Sequence, residues 1–122
     1  MDAPGSQRDA QEGGEAVDPL CRKAPVAKEL ARIVHAAQIS DAELRDQATR
    51  ASKSTFLCLC EGLPNEGAAL RRKYFTEANN SLHETLGAMD LAATIGAARE
   101  QDATAVQELG VRLKQMLRGL LH

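Results

Sequence analysis

The chain has 122 residues, 43% of them hydrophobic but only 2% aromatic. It is long enough for one domain with a real core, and that core must be built from Leu, Ala, Val and Ile, a composition that favours helices over sheets. The formal net charge of −2 argues against tight sequence-independent binding to nucleic acid, which scales with the number of phosphates neutralised. An oligomer could still gather modest positive patches into one field.

The charge is unevenly divided. Residues 1–18 hold Arg8 against Asp2, Asp9, Glu12, Glu15 and Asp18, a net charge of −4. The remainder has 14 Lys and Arg against 12 Asp and Glu. Residues 1–18 are also rich in Gly, Asp, Glu and Gln and have little to bury, so a disordered acidic tail is expected there, followed by a four-helix bundle over 19–122. No apolar signal-type segment opens the sequence. Cys21, Cys58 and Cys60 are odd in number, which points to reduced thiols and a cytoplasmic protein. No apolar run approaches the ~20 residues that span a bilayer.

Asp18-Pro19 has the pattern of an N-cap followed by proline, but Pro25 moves the clean start of the first helix to about Ala24. Ala27, Leu30, Ala31, Val34 and Ala37 then fall on one face, with Ile33 widening it. Ser40 and Glu43 form a capping-box signature, so a second helix is expected to open at Ser40. Leu44, Ala48, Ala51, Thr55 and Leu59 make its core stripe, and Phe56 with Leu57 adds a second apolar face. Gly62, in a left-handed turn, and Pro64 are expected to end it.

A third helix starts near Asn65 and runs to about Ile95, with Leu70, Tyr74, Ala78, Leu82, Thr85, Met89 and Ala92 on one face. Phe75, Leu86 and Ala93 widen that stripe. Gly87 inside it costs about 1 kcal/mol relative to Ala, which suggests close packing against a neighbour. Gly96 is a natural terminator. A fourth helix covers about Arg99 to Leu120, with Val106, Leu109, Leu113, Met116, Leu117 and Leu120 repeating in threes and fours. The expected fold is all-α: an antiparallel up-down-up-down four-helix bundle with a disordered N-terminal tail.

The order of these features resembles the four-helix-bundle family of rRNA intervening-sequence proteins and retroelement accessory variability determinants. The likeness is carried by Leu44-x-x-Gln47-x-x-Arg50, Ser54 and Leu59-x-Glu61-Gly62. It continues through Phe75-x-x-Ala78-x-x-Ser81-Leu82-x-Glu84 and Met116-Leu117-x-Gly119-Leu120. It covers roughly residues 24–121. Two positions depart from the family pattern: Cys58-Leu59-Cys60 stands where the family has Asn-Ile-Ala, and Asn80 stands in place of Gly before Ser81. The resemblance implies a non-enzymatic homo-oligomer, typically a homopentamer. For the retroelement members it implies binding to a reverse transcriptase and to nucleic acid.

No catalytic, metal or cofactor site is expected. Cys58 and Cys60 lie about 200° apart on a helix, so they face different sides. Gln47, Arg50, Ser54, Glu61, Ser81 and Glu84 could gather between the second and third helices. A carboxylate di-metal site there would call for Glu-x-x-His on two helices, and the motif is missing. The set is read instead as structural, with Glu84 accepting hydrogen bonds so that inward polar atoms are paired. Arg71, Arg72 and Lys73 are the basic cluster, placed at a helix start where the dipole favours anions. They are candidate contacts for nucleic acid or an acidic partner. The leading expectation is a homo-oligomeric scaffold or adaptor with an apolar surface left for copies of itself. The alternative is a nucleic-acid- or reverse-transcriptase-binding accessory factor of a retroelement.

Overall fold

The computed structural model describes residues 24–121. The expected acidic tail, 1–18, lies outside the described residues, as do the first residues of the expected 19–122 domain. Four helices follow in order: α1 (Ala24–Ala36), α2 (Ala42–Gly62), α3 (Ala68–Thr94) and α4 (Glu100–Leu121). Each packs on its sequence neighbours, and α4 closes the ring against α1. The chain is an all-α, up-down-up-down four-helix bundle, with no strand among the described residues.

The helix bounds have local causes. Pro25 stands in the first turn of α1, where its missing N–H costs no intrahelical bond. Asp41, rather than the expected Ser40, caps α2: its carboxylate accepts from the Leu44 amide at 2.9 Å. Ser40 is drawn away by the far loop, where its amide donates to the Ala97 carbonyl at 2.9 Å. That bond ties the α1–α2 and α3–α4 connections together at one end. Ile39, in the first of these connections, is fully buried and closes the core there.

Gly62 does end α2, though not by a left-handed turn. Among the described glycines only Gly96 has positive φ, at 81°. There the Gly96 amide donates to Ala93 and the Ala97 amide to Ala92, the paired bonds of a Schellman ending that Gly permits at no steric cost. α3 opens at Gly67, later than the expected Asn65, because the Asn65 side chain accepts from the Gly67 amide and holds the connection in a turn.

Leu30, Val34, Leu59, Phe75, Leu82, Met89, Val106, Leu113 and Leu117 form the core, all fully buried or nearly so. Three buried hydroxyls need no cross-helix partner: Thr55 donates to the Ala51 carbonyl, Ser52 to that of Thr49 and Thr85 to that of Ser81. Gly87 is in open surface, contrary to the expected close packing. Close approach occurs instead at Gly62 and Gly110, where an added Cβ would meet Phe75 and Leu86.

Candidate functional site

An open groove of about 1140 Å³ lies between the end of α1 and the outward side of α2. The outward side of α2 is left open to solvent beside α1. Asp46, Thr49, Arg50, Lys53 and Leu57 line that side, spaced by three and four residues so that they share one helix face. His35 and Gln38 form the opposite lip, and Arg45 closes the end by donating to the Ile39 carbonyl at 3.0 Å.

A smaller pocket of about 320 Å³ adjoins the groove, between Lys28 and Ala31 of α1 and Lys53, Phe56 and Leu57 of α2. Its floor is apolar, and the Lys28 ammonium lies 5.8 Å from the Phe56 ring centroid. Lys53 and Leu57 belong to both concavities. Together the two present Lys28, Arg45, Arg50 and Lys53 against the single carboxylate of Asp46. Arg50 and Lys53 form no ion pair among the described residues; those present are Arg32–Glu29 and Arg99–Asp102, both short-range surface pairs. A surface of this kind can bind an anionic chain that carries an apolar side chain.

The structure brings together part of the expected polar set. Ser54 and Ser81 share a hydrogen bond of 2.8 Å across α2 and α3, and Gln47 donates to Glu84 at 3.2 Å one layer away. Glu61 stands at the other end of the seam beside Tyr74, whose phenol it holds above its ordinary value by negative charge, with burial adding to the shift. About ten residues of α3 separate Tyr74 from Glu84, or ~15 Å along the helix, so Glu61 and Glu84 do not meet. Arg50 leaves the set and faces the groove. Cys58 lies in the seam, 3.8 Å from the Ser54 hydroxyl and 4.0 Å from a Glu77 oxygen. Burial pushes its thiol up, and the Glu77 and Glu61 carboxylates push the same way against the Ser54 hydrogen bond. Among the described residues no group of three or more His, Cys, Asp and Glu is placed to hold a metal ion.

Arg71, Arg72 and Lys73 are not brought into one patch, because successive helical residues point about 100° apart. The Arg71 guanidinium lies 5.4 Å from the Phe75 ring centroid and donates to the Asn65 carbonyl at 3.4 Å. Arg72 donates to the Leu121 carbonyl at 3.4 Å, and the Lys73 ammonium sits 5.9 Å from the Tyr74 ring. Arg71 thus secures the connection between α2 and α3, and Arg72 the end of α4. The groove cations are scattered over positions 28 to 53, and only the packing of α1 beside α2 assembles them. The one sequence signal available was the polar i, i+3, i+4 run of Asp46, Thr49, Arg50 and Lys53.

No helix among the described residues is long and apolar enough to cross a membrane. No protein family, curated protein or solved structure matches the chain.

Proposed function

We propose that this protein is a non-enzymatic, cytoplasmic scaffold that assembles from copies of itself into a ring, and that it belongs to the family its motifs resemble. The supporting observation is the placement of its exposed large apolar side chains. Leu70 and Leu91 on α3 are 42% and 50% exposed, Ile95 just past its end is 55% exposed, and Val111 on α4 is 52% exposed. Leu70 and Leu91 stand ~30 Å apart along α3, so these side chains do not form one patch. A two-fold dimer needs only one such surface, whereas a ring uses two different ones on every subunit. Burying the open half of a Leu or Ile contributes about 1 kcal/mol. Several such anchors per contact give specific association once the surrounding surface closes over them. The family resemblance sets the number of subunits at five.

Light scattering on the full chain tests this reading. The expected particle is five times the 13.1 kDa chain mass. Leu91→Asp and Val111→Asp should each reduce its size while leaving helical content unchanged. A monomer at micromolar concentration would overturn the proposal.

The groove cations favour a second reading, an accessory factor for an anionic partner such as nucleic acid or an acidic face of a reverse transcriptase. Its support is the pair Arg50 and Lys53, which face the groove without an ion-pair partner among the described residues. Titration with a labelled RNA oligonucleotide at rising salt tests it, since electrostatic binding weakens steeply as salt increases. Absence of binding at low salt would remove it for nucleic acid.

A further inference from the structure

We propose that the groove between α1 and α2 is occupied by the acidic N-terminal segment of the same chain. Charge complementarity is the first argument. Residues 1–18 carry five carboxylates against one arginine, while the groove and its side pocket present Lys28, Arg45, Arg50 and Lys53 against Asp46.

Reach and direction are the second. The segment joins the bundle at Ala24, the first residue of α1. Lys28 and Ala31, at the mouth of the apolar pocket, lie only ~6–10 Å further along the helix. Leu20 and Val17 are four and seven residues before Ala24. At ~3.3 Å per extended residue, either reaches the pocket over Phe56 and Leu57. Because α2 runs antiparallel to α1, Lys53, Arg50 and Arg45 then follow in that order away from Ala24, over ~12 Å. Asp18, Glu15 and Glu12 have the spacing and length of chain to run beside them. The apolar pocket and the cationic strip are thus met in the order in which the segment offers Leu20, Val17 and its carboxylates.

The tether makes weak contacts sufficient. Exposed ion pairs are individually feeble, but a covalently attached segment acts at an effective concentration on the order of millimolar. A consequence is competition: any other anionic partner must displace the segment before reaching Arg50. This assignment stands on the groove itself and holds whether or not the chain assembles.

Carbodiimide coupling of the full chain, read by mass spectrometry, tests it, because the reagent joins a carboxylate to a lysine only in direct contact. Bonds from Glu12, Glu15 or Asp18 to Lys53 and Lys28 should exceed those to Lys73 several-fold, although Lys73 stands at the same end of the bundle as Ala24. They should fall several-fold in Arg50→Gln, which removes the charge without adding a carboxylate, and again at high salt. A mixture of isotope-labelled and unlabelled chains separates the occupants. Bonds within one chain support the proposal; bonds between labelled and unlabelled chains place a second copy in the groove and overturn it. Coupling to Lys53 no greater than to Lys73, or unchanged by Arg50→Gln, also overturns it.

Discussion

Gly62 and Phe75 are packed so closely that a Cβ on the glycine would stand 2.7 Å from Cε1 of the ring. It would also approach Cβ of Tyr74 to 3.0 Å. Phe75 is itself fully buried, and both obstacles are stiff: a ring held on all sides and an atom next to the backbone. This contact lies where the end of α2 meets α3, the most extensively packed pair in the bundle. Gly62→Ala should therefore destabilise by about 1–2 kcal/mol. Overpacking costs ~1–3 kcal/mol and the gain in helix propensity offsets at most ~1. The shift in urea midpoint at constant slope measures it.

Gly87 predicts the opposite sign. It lies inside α3 with nothing within 4 Å of an added Cβ, and its φ is not positive. Gly87→Ala should stabilise by about 0.5–1 kcal/mol through helix propensity alone. A higher melting temperature with unchanged assembly is the expected result, and a loss of stability would show that this face is packed in solution.

The Ser54–Ser81 hydrogen bond joins α2 to α3. Removing one hydroxyl leaves the other without its cross-helix partner, at a cost of about 1 kcal/mol. Ser54→Ala and Ser81→Ala should each show that loss, and the double variant should lose less than their sum. Additive losses in the double-mutant cycle would mean that the two hydroxyls act separately.

Alkaline stability follows from Tyr74 and Cys58, both raised above their ordinary values of 10.0 and 9.0. A raised acid is held protonated by the fold. Its contribution is complete below the ordinary value and is lost as pH rises through the folded one, because the unfolded chain ionises first. Melting temperature should therefore decline from about pH 9 upward. Tyr74 is the only tyrosine and there is no Trp, so phenolate absorbance reads it alone. Its midpoint should lie above 10.0 and move down in Glu61→Gln, since the Glu61 charge is the largest cause of the shift. A midpoint unmoved by that substitution would refute the Glu61–Tyr74 contact.

How far the sequence could be read depends on the range of each interaction. Leu70 shows the limit well. Its spacing puts it on the core stripe, yet it is 42% exposed. Gly62 pairs with Phe75, so the first turn of α3 overhangs the end of α2 and leaves Leu70 partly open. Arg71, Arg72 and Lys73 show the same limit in charge: adjacent in the chain, they serve three separate contacts. Ser40 fits the capping signature, but Ala97, 57 residues away, takes its amide.

The amino-acid sequence by itself determined that there are four helices, where they break, which stripe of each faces inward, and that Gly96 ends the third. These are properties of neighbouring residues, set by backbone sterics, capping and apolar spacing within a few turns. Only the tertiary structure decided which glycine is a contact and which is open, that Ser54 meets Ser81, and that Arg45, Arg50 and Lys53 border one groove with Lys28 at its edge. A helical pattern gives the direction of a side chain. What stands in that direction depends on the register and spacing of a second helix, and those are settled by packing across the whole bundle.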